Sequence, residues 1–175
     1  MPVEYVRIPL ERTAVLIGTG GKTKRSVEIA TGTKIDIDSK TGEIEIKAKG
    51  DAISAYKAME IVKAIGRGFS PEHALVLLDE NTALEIIDLE EYAGKSDKGL
   101  AVKRGRIIGT RGRARKIIED ETGAFISVYG KTVGIVGKME SVAKAKRMVE
   151  MLLEGAKHIT IERELKKSGR EKFKI

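Results

Sequence analysis

Two short segments are the parts of this sequence best suited to hold a ligand: Ile17-Gly18-Thr19-Gly20-Gly21 and Ile108-Gly109-Thr110-Arg111-Gly112. Each carries two glycines three residues apart. Glycines let the backbone turn through conformations that other residues avoid, and they leave no side chain between backbone and ligand. A helix that begins directly after such a corner points the unpaired N–H groups of its first turn, and the positive end of its dipole, at the loop. The result is an anion site that needs little side-chain help, and phosphate is an anion it suits. Basic residues surround both corners: Lys22, Lys24 and Arg25 at the first, and Arg104, Arg106, Arg111, Arg113, Arg115 and Lys116 at the second. An arginine in the loop can grip a phosphate with two parallel N–H groups. Tighter binding is therefore expected at the second corner. The candidate binding residues are these nine together with Gly18, Thr19, Gly20 and Gly21, and Gly109, Thr110 and Gly112.

Other chemistries find less support. Gly21-Lys22-Thr23 imitates the end of a nucleotide-binding P-loop, but the glycine required five residues before Gly21 is Leu16. His73 and His158 are isolated and offer neither a catalytic triad nor a metal cluster. Glu119, Asp120 and Glu121 form a run on one predicted helix, so their side chains diverge and read as a solvated face rather than a metal site. The chain has no cysteine, which excludes disulfides and thiolate zinc sites. No catalytic residue, metal or cofactor is expected.

The elements that place the two corners form an internal repeat. At an offset of 91 residues, Ile17, Gly18, Thr19 and Gly21 match Ile108, Gly109, Thr110 and Gly112. Val27, Thr31, Gly32, Ile35 and Ile37 match Ile118, Thr122, Gly123, Ile126 and Val128. After a shorter loop, Gly50, Ser54, Lys57 and Ala58 match Gly137, Ser141, Lys144 and Ala145 at an offset of 87. In the first copy, alternation predicts strands over 3–8, 34–38 and 43–47. Helices are predicted over 11–17, over 22–32 with Gly32 as the left-handed cap, and over 51–65 with Asp51 as N-cap. Ile53, Met59, Ile61, Val62 and Ile65 are the expected core positions of that last helix. The second copy predicts strands over 83–89, 124–128 and 132–136, and a last helix over 139–155. A helix pair flanks its corner, and residues 90–104 form a connector. The domain boundaries are 1–68 and 82–156. A helical joint at 69–81 is opened by Ser70 and Pro71, with Leu75, Leu77 and Leu78 for packing. A basic tail, expected either to fray or to form a final helix, occupies 157–175.

Charge follows the same division. The net charge is +7. Residues 101–175 hold 19 basic and 9 acidic groups, whereas residues 71–100 hold 2 and 8. Segregated positive charge favours a polyanion partner. No apolar run approaches the roughly 20 residues that span a bilayer, and the N-terminus lacks a signal-peptide layout. The reading is a soluble, cytoplasmic monomer. The aromatic residues Tyr5, Tyr56, Phe69, Tyr92, Phe125, Tyr129 and Phe173 are too sparse for a stacking platform of the RRM or OB kind.

The order strand, helix, Gly-x-x-Gly, helix, strand, strand, helix resembles the KH domain. It does so twice, over about residues 3–65 and 82–155. The resemblance implies an α+β fold of two tandem type I KH domains, each a three-stranded sheet packed with three helices. It also implies binding of single-stranded RNA, about four nucleotides per domain. KH domains usually carry an apolar residue three positions past the second glycine. Here Lys24 and Arg115 stand there, suited both to covering apolar surface with their stems and to contacting phosphate. The joint GFSPEHALVLL, the strand ALEIIDLEEY and the basic end resemble the archaeal-type small-subunit ribosome-assembly proteins of the "partner of NOB" family. That likeness implies binding near the 3′ end of small-subunit rRNA and partnership with a PIN-domain rRNA endonuclease. The alternatives are a KH protein-interaction scaffold, a subunit of an RNA-degrading complex, or a binder of single-stranded DNA.

Overall fold

The computed structural model describes residues 1–171, with side chains described as far as Ser168. It divides into two compact units, one from Met1 to Leu84 and one beginning at Glu85.

In the first unit the elements are β1 (Val3–Arg7), α1 (Leu10–Ile17), α2 (Lys22–Thr31), β2 (Thr33–Ile37), β3 (Glu43–Ala48) and α3 (Ala52–Gly66). Strand β3 lies between β1 and β2 and runs antiparallel to both, with Val6 opposite Ile44 and Ile35 opposite Ile46. Alternation sends Ile35, Ile44 and Ile46 to the helices, where they are fully buried with Leu16, Val27, Ala58, Ile61, Val62 and Ile65. On the other face Tyr5, Glu45 and Lys47 remain in water, joined by the Tyr5 hydroxyl donating to Glu45 and by the Lys47–Glu45 ion pair. Asp51 opens α3, its Oδ1 accepting from the Ser54 amide at 2.9 Å. Ile53, expected in the core, sits in the first turn of α3 and is 65% exposed.

The segment expected as a joint folds onto α3 within this unit. Helix α4 (Pro71–Ala74) starts at Ser70, whose Oγ accepts from the His73 amide, and a single 3-10 turn at Leu75–Leu78 follows. Phe69 and Leu77 are buried. Arg12 secures the segment by donating to the Ile65 and Phe69 carbonyls at 2.7 and 2.8 Å.

The second unit repeats the plan with β4 (Thr82–Asp88), α5 (Glu90–Ala93), α6 (Asp97–Ile108), α7 (Arg113–Thr122), β5 (Phe125–Tyr129), β6 (Thr132–Lys138) and α8 (Met139–Leu153). Its sheet order is β4-β6-β5. Ile87, Leu89, Leu100, Ile107, Ile118, Ile126, Ile135 and Leu152 belong to one core. The stretch expected as a connector is largely helical. Ser96 caps α6 by accepting from the Gly99 amide at 3.1 Å, so the helix before the second corner begins earlier than its glycine content suggested. The unit also gains a helix. Residues expected as a tail form α9 (His158–Glu171), which lies against α7 and α8 and buries Ile161 and Leu165. Phe173 lies outside the described residues. Among the described residues, no helix is long and apolar enough to cross a membrane.

Candidate nucleic-acid interface

The two corners have nearly superimposable backbones. Gly18 has φ 73° and ψ 173°, and Gly109 has φ 72° and ψ 178°. Two residues in the left-handed region close each corner, Gly20 (φ 60°) and Gly21 (φ 76°) in the first and Arg111 (φ 56°) and Gly112 (φ 72°) in the second, and the last of each pair leads into α2 or α7. The first glycine of each pair is required twice over. Its φ is positive, and a Cβ on Gly18 would lie 2.3 Å from Thr23 Oγ1, while one on Gly109 would lie 2.7 Å from Ala114 Cβ. The corner is thus pressed against the start of the helix it feeds.

No side chain caps α2 or α7, and neither has an acidic residue in its first turn. The first-turn amides consequently face the loop with their partial positive charge uncompensated by side chains. Both corners are open: Thr19, Gly20, Thr110 and Arg111 are exposed. Within the corners the Gly21 and Lys22 amides donate to the Gly18 and Thr19 carbonyls, and the Gly112 and Arg113 amides to the Gly109 and Thr110 carbonyls, so an anion meets the positive end of the helix rather than a full set of free amides.

The basic candidates divide by what they touch. At the second corner Arg111, Arg113 and Lys116 are exposed and have no hydrogen-bond or ion-pair partner among the described residues. At the first, Lys22 is likewise exposed, while Arg25 folds back and donates from Nη2 to the Gly20 carbonyl at 2.9 Å, bracing the loop. Arg104 and Arg106 do other work. Arg106 donates to the carbonyls of Leu152 and Ala156 at 2.8 and 2.6 Å, capping the C-terminal end of α8. Arg104 donates to the Gly130 carbonyl at 2.8 Å, fastening α6 to the β5–β6 turn. Lys24 and Arg115 each pair with a glutamate one turn on, Glu28 at 3.8 Å and Glu119 at 3.4 Å.

Of these glutamates, Glu28 carried no expectation from the sequence and Glu119 a different one. Glu119, expected on a solvated face, accepts from the Ile126 amide at 3.2 Å, and Glu28 accepts from the Ile35 amide at 2.8 Å. Each reaches from the helix after the corner to the neighbouring strand. The repeat held the signal, since Glu28 and Glu119 stand at the same 91-residue offset as the glycines. His158 begins α9, with Nε2 at 2.9 Å from the Arg106 carbonyl. It joins Gly109, Thr110, Arg113, Ile117 and Glu162 around a groove of about 470 Å³ behind the second corner.

Comparison with known proteins agrees with this geometry. The family described as eukaryotic type KH-domain (KH-domain type I) matches residues 83–170, and the KH domain family matches residues 3–64. A KH domain-containing protein of Methanocaldococcus jannaschii is 44% identical, over 99% of this chain and 78% of its own length. The crystal structure of Dim2p from Pyrococcus horikoshii OT3 is 48% identical, with a TM-score of 0.89 over 95% of this chain and 99% of that one. A chain in the crystal structure of the a/eIF2alpha–aDim2p–rRNA complex from the same organism is 47% identical, with a TM-score of 0.90 over 97% of this chain and 94% of that one. A protein of unknown function from Aeropyrum pernix is 38% identical, with a TM-score of 0.91 over 97% of this chain and 92% of that one.

Proposed function

The chain belongs to the tandem KH-domain family that includes archaeal Dim2p, and from that premise we propose that it is a non-catalytic adaptor for single-stranded ribosomal RNA. In this reading it acts in assembly of the small ribosomal subunit and holds the RNA near its 3′ end. The carrying observation is the second corner: an open glycine loop at a helix start with no side-chain cap, ringed by Arg111, Arg113 and Lys116, which have no competing partners among the described residues. A phosphate there replaces water on the first-turn amides and gains charge-assisted bonds from the arginines. The complex of a similar chain with rRNA supports ribosomal RNA as the strand. The protein works as a monomer that presents this RNA to a PIN-domain endonuclease, the partner implied by the family. The first corner, with fewer free basic groups, contributes less affinity.

The test is affinity for a short single-stranded RNA after changing Thr110 and Arg111 both to Asp. Aspartate tolerates left-handed backbone, so the corner keeps its shape while its charge inverts. Affinity is expected to fall by on the order of tenfold or more, since each change sets a carboxylate against a phosphate. Thr19→Asp with Gly20→Asp is expected to cost less. Unchanged binding by the Thr110 and Arg111 variant, with its circular dichroism intact, would refute the assignment.

A further inference from the structure

Strands β2 and β5 lie at the edges of their sheets, so alternate N–H groups face outward without a strand partner. Ile35 and Ile126 are residues whose amides do so, and in each case a glutamate from the preceding helix takes the proton. The same carboxylate is held by a basic residue one turn earlier, Lys24 for Glu28 and Arg115 for Glu119. The trio Lys24, Glu28 and Ile35 thus recurs as Arg115, Glu119 and Ile126. Neither glutamate side chain is fully buried: they are 20% and 22% exposed. In the first unit the carboxylate lines an open groove of about 550 Å³ together with Lys24, Arg25, Thr33, Lys34 and Lys49.

An ionised carboxylate only accepts hydrogen bonds. Adenine, cytosine and guanine each carry an exocyclic amino group to offer it, and glutamate pairing with the cytosine amino group is an established match. Uracil offers one ring N–H flanked by two carbonyl oxygens, which the carboxylate repels. The outward strand amide, a donor that could have served those oxygens, is already occupied by the glutamate. We infer that Glu28 and Glu119 are base-selecting residues, which admit an amino-bearing base at the edge strands β2 and β5 and reject uracil. This deepens the RNA-binding reading and rests on it.

Affinities of the full chain for single-stranded RNAs that differ in one base, scanned along the strand, provide the test. At the position that meets a glutamate at the edge strand, uracil is expected to bind roughly fivefold or more weakly than the other three bases. Glu119→Gln keeps an oxygen for the Ile126 amide and adds an N–H₂ donor for uracil oxygens. It is expected to shrink the penalty to about twofold or less, with the unfolding temperature unchanged. Glu28→Gln is expected to act the same way at β2. Equal affinity for all bases at every position, or a uracil penalty that survives both glutamine variants, would overturn the inference while leaving RNA binding intact. Failure to bind any of the RNAs would instead remove the RNA-binding reading, and this inference with it.

Discussion

Arg111 carries the clearest residue-scale evidence of purpose. It has φ 56° and is the one non-glycine at positive φ among the described residues, while its counterpart Gly20 has φ 60°. The left-handed region costs a residue with a Cβ about 1–2 kcal/mol. Nothing buries the Arg111 side chain in return, and strain kept at an exposed corner points to use of the guanidinium. Arg111→Gly is expected to stabilise the second unit by roughly 0.5–1 kcal/mol, the relieved strain less the greater unfolded-state entropy of glycine. It should at the same time weaken RNA binding by about tenfold or more, on the order of one lost charge-assisted bond. Denaturant unfolding alongside an affinity measurement checks both signs; a loss of stability would contradict the strain. The glycines and Arg111 were legible because their spacing is local. Arg106 was not, since nothing in its sequence position shows that its guanidinium caps the end of α8. Glu28 and Glu119 were missed for a similar reason: their strand partners lie seven residues away, across a fold.

Elements with strong periodicity and caps were readable, and those hidden by composition were not. The helices before and after the first corner, and both hairpin strands that follow, lie close to where alternation and Thr31-Gly32 placed them. Helix α6 was obscured by Gly99 and Gly105, although Ser96 three residues before Gly99 was a usable start signal. The charge-rich α9 was hard to tell from a tail because, among its described residues, only Ile161 and Leu165 mark a buried face. Its packing against α7 makes it a support for the second corner rather than an appendage. Ile161 is 3% exposed, so Ile161→Ala is expected to cost about 2–4 kcal/mol, as truncation of buried aliphatic residues does. Hydrogen exchange at the β6 amides reports it, and protection equal to that of the unaltered protein would show that α9 adds no stability to this unit.

Across the whole molecule, duplication explains more than any single motif. Both units set a glycine corner against a helix start, cross to an edge strand through a glutamate, and cover the sheet with a long helix. They differ in charge and in α9, which packs against α7 and lines the groove at the second corner. The charge segregation was visible in sequence, whereas the assignment of residues 69–81 to the first unit needed their packing on α3. At this scale the central claim is that helix-start amides at the two corners receive phosphates. Amide-resolved NMR of the full chain during titration with a short single-stranded RNA tests it most directly. The largest shifts are expected at residues 109–114, with smaller ones at residues 18–23. Shifts concentrated elsewhere, with those amides unmoved, would contradict it.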